Sequence, residues 1–126
     1  MLGYATVGTN NLARATAFYD DILTLLGAKR IFDFERGVYY GKDTMELGVL
    51  TPFNGDIASV GNGSMVALRA GSRTKVDEFH ATSLRSGDVN QGAPGLRGDA
   101  SIGFYGAYFR DLDGNKLCVF KMGPER

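Results

Sequence analysis

The sequence predicts an α+β fold made of two copies of one βαβββ module. Two stretches have a helical period, and short alternating stretches typical of strands precede and follow each of them. The spacing between the copies is constant, because Phe18 and Phe79 are 61 residues apart, as are Leu23 and Leu84. Two such modules predict open, curved sheets that surround a cup.

The first copy begins with the alternating stretch GYATV and continues into a helix over residues 11–26. Apolar residues of that helix recur at steps of three and four and form one stripe, which includes Phe18 and Ile22. Gly27 follows at the position of a helix C-cap. Three strand-like runs come next, namely KRIFDF, GVYYG and TMELGVL. The first module therefore covers about residues 1–53.

The second copy repeats this order after a glycine-rich linker at residues 54–63. SMVAL predicts its first strand, and residues 73–86 have a weaker apolar stripe. The stretch GAPGLRGDASIGFYG is expected to be a loop that leads into a strand. FYGAYF and KLCVF predict two strands, and Asp113-Gly114 is typical of the tight turn of a hairpin. The second module therefore covers residues 64–126.

Composition and charge exclude several classes of function. Lys and Arg number 14, as do Asp and Glu, and the charges are interspersed, so neither a nucleic-acid surface nor a membrane surface is expected. No apolar run approaches the length of a membrane span, and the N-terminus lacks the pattern of a signal peptide. A single cysteine cannot form an internal disulfide, which fits a reducing compartment. We expect one cytoplasmic domain.

Alternation along the predicted strands assigns their two faces. One face is apolar and is expected to pack against the helices, as Leu117 and Val119 illustrate. The opposite face is mixed in polarity and is expected to line the cup. Its predicted members are Tyr4, Thr6, Glu46, Gly48, Met65, Ala67, Lys116, Cys118 and Phe120.

Four stretches together carry a family resemblance: NNLARATAFYDDILTLLGAKR, VDEFHATSLRSG, NQGAPGLR and FYGAYFRDLDGNKL. The last of them is the most specific, with Asp111 followed by Asp113-Gly114-Asn115. In these stretches the chain resembles the vicinal oxygen chelate superfamily, which includes glyoxalase I, bleomycin-resistance proteins and extradiol dioxygenases. The resemblance covers nearly the whole chain. It implies the fold of two βαβββ modules around a cup, and a homodimer.

Enzymes of that superfamily hold a divalent metal with four strand positions, typically His, Glu, His and Glu. Carried over position by position, the resemblance places these ligands on Tyr4, Glu46, Met65 and Cys118, so only Glu46 is retained. Hard divalent metals prefer carboxylate, imidazole and water, whereas a thioether and a protonated phenol are poor ligands. We therefore expect a cup without a divalent metal or another cofactor.

Glu46 is the most informative candidate. In a cup it is a general base or a polar anchor for a ligand, or it forms a structural ion pair with Lys116 or Arg69. His80 is expected to be a partly exposed helix residue on the convex side, with no catalytic role. Cys118, without a neighbouring base, is expected to be a small apolar residue rather than a nucleophile.

Two further positions have alternative interpretations. Arg97 follows a Pro-Gly turn, and it either presents a guanidinium fork to an anionic ligand or is a solvated loop residue. Tyr105 either lines the pocket or packs between the sheets, and the same alternatives apply to Tyr40.

The sequence thus predicts a glyoxalase-like protein that binds a small organic molecule in a metal-free cup and sequesters it, as resistance proteins do. The predicted ligand-binding residues are Tyr4, Glu46, Met65, Arg97, Tyr105, Cys118 and Phe120, with Glu46 and Tyr4 as catalytic candidates. One alternative is a metal-independent lyase or isomerase with Glu46 as general base. Another is a divalent-metal lyase or dioxygenase with atypical ligands. A carboxylate within aromatic walls predicts a flat or apolar ligand that carries a hydrogen-bond donor or a cation.

Overall fold

Two helices and two four-stranded sheets form the fold of residues 1–124, the part of the chain that the computed structural model describes. The elements in chain order are β1 (Ala5–Gly8), α1 (Leu12–Leu23), β2 (Lys29–Phe34), β3 (Gly37–Gly41), β4 (Leu47–Leu50), β5 (Val66–Arg69), α2 (Arg73–Arg85), β6 (Val89–Leu96), β7 (Tyr105–Arg110) and β8 (Lys116–Lys121). Short 3-10 turns occur at Thr24–Leu26 and Ala100–Ile102. Among the described residues, no helix is long and apolar enough to cross a membrane.

The two sheets have the same topology. Their strand orders are β1-β4-β3-β2 and β5-β8-β7-β6. In each sheet the first strand of the module pairs in parallel with the last, and the other pairs are antiparallel. The predicted α+β fold of two βαβββ modules is therefore confirmed, and both sheets are open.

Polar side chains cap the start of both helices. Asn11 accepts a hydrogen bond from the N–H of Arg14, and Ser72 accepts one from the N–H of Lys75, both at 3.1 Å. Such caps satisfy N–H groups that have no partner within the helix. Gly27 has a φ of 78° and ends the 3-10 turn after α1, a conformation that glycine adopts without strain.

One continuous hydrophobic core joins the two modules. Helix residues Ile22, Val76 and Phe79 and strand residues Leu117 and Val119 are each fully buried at 0% exposure. The two strand residues lie on the helix-covered face that the alternation predicted. We call the opposite face of each sheet the open face.

The structure has the edge strand β6 where the sequence predicts a loop. Pro94 lacks an N–H, and glycines such as Gly92 and Gly95 weaken a strand, so the sequence pattern disfavours one here. β6 pairs only with β7, and its register shifts between Asn90 and Gly92 and again before Gly95. An irregular edge strand tolerates proline and glycine because one of its sides needs no partner.

The connection between β7 and β8 is longer than the predicted two-residue turn. Asp111 Oδ1 accepts hydrogen bonds from the N–H groups of Asp113 and Asn115, both at 2.9 Å. Gly114 has a φ of 90°, which supports its predicted role as the residue that turns the chain. The Asp111 carboxylate therefore satisfies backbone donors that a tighter hairpin would pair within its strands.

The same loop contacts the first module. Asp111 Oδ2 accepts a hydrogen bond from the Tyr19 hydroxyl of α1 at 2.6 Å, and both residues are buried. Asn115 Nδ2 donates to the carbonyl of Gly8 at 2.8 Å, and the N–H of Asn10 donates to Asp113 at 3.0 Å. The hairpin of the second module is thus tied to both ends of the β1–α1 connection.

Candidate functional site

A cleft of about 660 Å³ lies at the seam between the modules. Residues at and beside β1 of the first sheet and β5 of the second sheet line it. Its apolar lining side chains come from both modules and from the turn after α1: Leu2, Tyr4, Ala5, Leu23, Leu25, Leu26, Ala28, Tyr40, Leu47, Val66, Ala67, Leu68, Ala70 and Phe120. Its charged lining side chains are Lys42, Glu46, Arg69 and Lys75. An apolar cavity with a few polar groups is the usual form of a small-molecule site.

Glu46 lines this cleft and also caps a turn. It directly precedes β4 and is exposed. Its Oε1 accepts a hydrogen bond from the backbone N–H of Lys42 at 3.0 Å, and its backbone carbonyl accepts one from the N–H of Ala5 at 3.1 Å. Among residues 1–124 it forms no ion pair with Lys116 or Arg69, so the structural ion pair considered from the sequence is not made.

Tyr4 lies beside Glu46 on the cleft wall and joins an aromatic cluster. Its ring is half exposed and packs edge to face on Tyr39, with centroids 5.2 Å apart. Tyr39 in turn stacks on Phe34, with centroids 6.0 Å apart. A Cβ at Gly48 would come within 2.6 Å of the Tyr39 ring, so only glycine leaves room for this ring on the open face.

Phe120 lines the cleft from the second module. Its ring stacks on Phe104 with centroids 5.2 Å apart and an interplanar angle of 6°. The Arg69 guanidinium lies over the same ring, 5.5 Å from its centroid. Cation–π contact of this kind orients a guanidinium while its edge remains available for hydrogen bonds.

Cys118 lies on the open face, as predicted, but it is completely buried there and does not line the cleft. It pairs in register with Ala67 on one side and with Tyr108 on the other. Burial raises the pKa of the Cys118 thiol, while Tyr108 and the nearby cations Arg97 and Lys116 oppose that rise. The expectation that Cys118 looks into a solvated cup is therefore wrong.

Arg97 is held over a ring on the open face of the second sheet. Its Cζ lies 5.4 Å from the Tyr108 centroid, and Lys116 Nζ lies 5.6 Å from the same centroid. The Arg97 Nη2 atom donates a hydrogen bond to the carbonyl of Ala93 at 2.6 Å. Arg97 is thus positioned by neighbours rather than solvated, but it does not line the cleft.

Met65 is separated from the other predicted residues. It directly precedes β5, is half exposed, and lines a smaller cavity of about 190 Å³ together with Thr6 and Lys116. Of the seven residues predicted to bind a ligand, only Tyr4, Glu46 and Phe120 line the larger cleft.

The two tyrosines with alternative interpretations both lie on helix-covered faces. The Tyr105 hydroxyl donates to Asp77 of α2 at 2.6 Å, so this residue is turned away from the open face, which corrects its assignment as a ligand-binding residue. The Tyr40 hydroxyl donates to Asp20 of α1 at 2.9 Å, and burial raises its pKa. Tyr40 nevertheless borders the cleft at its inner end.

His80 is buried at 7% exposure, which corrects the expectation of a partly exposed residue. Its Nε2 lies 3.1 Å from the side-chain oxygen of Asn90 on β6. The predicted loop would have left this side of α2 uncovered, whereas the edge strand β6 covers it. His80 lines neither the cleft nor the smaller cavity.

The residues at the family's metal positions do not fit a divalent metal. Tyr4 and Glu46 line the larger cleft, Met65 lines the smaller cavity, and Cys118 lines neither. Burial favours the protonated thiol of Cys118, and a thioether is a weak ligand for hard cations. Within residues 1–124, no three or more His, Cys, Asp and Glu side chains are grouped so that they could hold an ion.

Reasoning from strand alternation missed the lining residues that lie outside strands. Leu25 and Leu26 come from the turn after α1, Lys42 from the β3–β4 turn, and Lys75 from the first turn of α2. Alternation assigns faces only within strands, whereas this cleft lies where the ends of several elements meet. In the sequence, only the pair Leu25-Leu26 just before Gly27 indicated an apolar surface at this part of the cleft.

Comparison with solved structures identifies proteins of similar fold. A glyoxalase/bleomycin resistance protein from Albidiferax ferrireducens T118 shares 34% sequence identity and a TM-score of 0.86, over 98% of this chain and 99% of that one. A glyoxalase/bleomycin resistance protein/dioxygenase family enzyme from Burkholderia phytofirmans PsJN has 13% identity and a TM-score of 0.73, over 95% and 97% of the two chains.

A genomically encoded fosfomycin resistance protein from Listeria monocytogenes has 18% identity and a TM-score of 0.71, over 98% of this chain and 93% of that one. At these lower identities the likeness concerns the fold alone. No protein-family model and no curated protein matches the sequence.

Proposed function

The chain belongs to the glyoxalase/bleomycin resistance/dioxygenase family, and from this membership and the cleft at the seam we propose that it binds a small organic molecule without a metal. The cleft is the observation that carries the proposal. Its volume of about 660 Å³ is within the range of small-molecule sites, and its walls are largely apolar. Sequestration of the ligand, as in a resistance protein, is the corresponding biological role.

The donor set supports the metal-free part of the proposal. Three of the four family positions hold Tyr4, Met65 and Cys118, and the geometry distributes the four side chains over two cavities and a buried site. We expect protein purified without added metal to contain no stoichiometric zinc, nickel, iron or manganese by elemental analysis. One tightly held ion per chain that is lost in the Glu46→Gln variant would overturn this expectation.

A screen of small molecules with a variant that blocks the cleft tests the binding function. Ala67 is exposed, lines the cleft and has only a methyl side chain, so Ala67→Trp places a bulky ring inside the cavity and obstructs it. Ala81→Trp is the matched control, because Ala81 is exposed on α2 and does not line the cleft. We expect flat and apolar compounds to bind the wild type and the control in ligand-observed NMR, but not Ala67→Trp. Equal binding by both variants would refute the cleft as the site.

The alternative function is a metal-independent lyase or isomerase. Tyr4 and Glu46 both line the cleft, and the backbone hydrogen bond from Ala5 to Glu46 holds the starts of their strands together. A carboxylate beside a phenol can act as a general base with an acid partner. Turnover of a substrate panel by the wild type that is lost in Glu46→Gln, with ligand binding retained, would favour this enzyme over a binding protein.

We also propose a homodimer. Two large aromatic side chains of the first module are exposed, Phe32 at 53% and Phe53 at 89%. The Arg36 guanidinium lies over Phe53, 5.2 Å from its centroid, and over Phe34 at 5.7 Å. Exposed aromatic surface and the open edges of short sheets are features that a second subunit covers.

A further inference from the structure

Positive side chains outnumber negative ones around the cleft. Lys42, Arg69 and Lys75 line it, and Glu46 is its one acidic lining residue within the described part of the chain. The Glu46 carboxylate already accepts the N–H of Lys42, so part of its hydrogen-bonding capacity is used within the protein. Apolar walls reduce screening, and a surplus of positive charge among them favours a negatively charged ligand.

Arg69 is the cation best placed to bind such a ligand. It is the last residue of β5, it is exposed, and Phe120 supports one face of its guanidinium. Among residues 1–124, no carboxylate lies within salt-bridge distance of it. The edge of a guanidinium carries parallel N–H donors that match the two oxygens of a carboxylate.

The two lysines of the cleft, Lys42 and Lys75, contribute unequally to its positive charge. The Lys75 ammonium is paired with Glu78 of α2 at 3.3 Å, so much of its charge is balanced locally. Lys42 forms no ion pair within the described residues and is exposed. Arg69 and Lys42 are therefore the two cations that a bound anion would neutralise.

The walls of the cleft determine which chemical groups fit beside the anionic group of the ligand. Tyr4 and Phe120 present aromatic rings, and Leu25, Leu47 and Leu68 present aliphatic side chains. Flat rings pack well against such surfaces and bury apolar area without polar partners.

We propose that the cleft binds a flat apolar ring that carries a carboxylate, with the carboxylate bound by the Arg69 guanidinium and neutralised further by Lys42. This inference rests on the proposed binding function and names the class of its ligand. It differs from the ligand expected from the sequence, a flat or apolar molecule that carries a hydrogen-bond donor or a cation, because that expectation placed the Glu46 carboxylate at the centre of the cup.

Calorimetric titration with three probes of one shape tests the charge preference. The probes are naphthalene-2-carboxylate, the neutral naphthalene-2-carboxamide and the cationic naphthalen-2-ylmethylammonium. We expect the carboxylate to bind about tenfold more tightly than the amide, the size of effect that one charge-assisted hydrogen bond gives. The ammonium compound should bind most weakly, and added salt should weaken the binding of the carboxylate but not of the amide.

Two arginine variants test the role of Arg69. Arg69→Gln should reduce carboxylate affinity about tenfold and leave the affinity for the amide unchanged. Arg85→Gln is the matched control, because Arg85 is exposed at the opposite end of α2 from the cleft-lining Lys75. An equal loss of carboxylate affinity in the two variants would refute the assignment of carboxylate binding to Arg69.

The outcomes separate the two proposals. If the amide or the ammonium compound binds as tightly as the carboxylate, the binding function stands and the anionic ligand class is refuted. If none of the three probes binds, the proposed function fails for flat apolar ligands and the inference fails with it.

Discussion

Asp111 is a buried carboxylate whose two oxygens accept four hydrogen bonds. Three come from its own loop, from Asp113 and Asn115, and the fourth comes from Tyr19 in the other module. This explains physically why the stretch around Asp111 is the most distinctive part of the sequence. One side chain both shapes the hairpin loop and contacts the first module.

The Tyr19 hydroxyl makes protein stability depend on pH in the alkaline range. Burial, and then the Asp111 carboxylate, raise the pKa of Tyr19 well above its ordinary value of about 10. Because the folded state retains this proton, the stabilisation is complete below about pH 10 and is lost as the pH rises further. We expect Tyr19→Phe to lower stability at pH 7 by about 1–2 kcal/mol, through the lost hydrogen bond.

Denaturant unfolding between pH 8 and 11 measures this prediction. In Tyr19→Phe the free energy of unfolding should fall less steeply above about pH 10 than in the wild type, because one titrating group is absent. Tyr40→Phe should also reduce the slope, since burial raises the pKa of Tyr40 as well. Parallel curves for the wild type and Tyr19→Phe would contradict the prediction.

At the scale of single elements, β8 is covered on both of its faces. Leu117 packs under the helices, and Cys118 is buried on the open face, where Tyr108 is its neighbour in register. The alternation of β8 was evident from the sequence and correctly gave its helix-covered side. The burial of its other side could not be predicted from the sequence, because it depends on which large side chains the adjacent strand supplies.

Substitutions in β8 test this description. Leu117→Asp should destabilise the fold by about 3–5 kcal/mol, since it buries a charge without a partner. Cys118→Glu should also destabilise the fold, because a longer, charged side chain must fit where Cys118 is completely buried, and the nearby cations Arg97 and Lys116 offset only part of that cost. Cys118→Ala removes only a small buried group and should cost about 1 kcal/mol. Thermal melts measure these effects, with Ala81→Asp on the exposed surface of α2 as the control. A stable Cys118→Glu variant would mean that the open face at β8 is solvated.

The helices and most strands could be predicted because their signals are local. The stripe of α1 and the alternation of β8 follow from periodicity within one element. Strand β6 could not be predicted from the sequence, since Pro94 and the glycines of this strand are tolerated only at a sheet edge that the tertiary fold creates. The cleft was found in part through Tyr4, Glu46 and Phe120, whereas Lys42 and Lys75 reach it from a turn and a helix start.

At the scale of the whole molecule, the exposed aromatic surface of the first module predicts self-association. We expect sedimentation at micromolar concentration to give a homodimer. Phe32→Asp should shift the equilibrium to monomers, because it places a charge on a ring surface that is 53% exposed in the single chain. Leu84→Asp, on α2, is the control and should leave the dimer intact. A monomeric wild type would refute the prediction.

The parallel pairing of β1 with β4 has a consequence for how the chain folds during its synthesis. β1 cannot complete its sheet until Leu50 has left the ribosome, because its register partners extend from Leu47 to that residue. The same delay recurs for β5, which must wait until its parallel partner β8 has been synthesised. Each module therefore emerges with an unpaired first strand, and protease digestion of stalled nascent chains should find β1 unprotected until β4 is free of the exit tunnel.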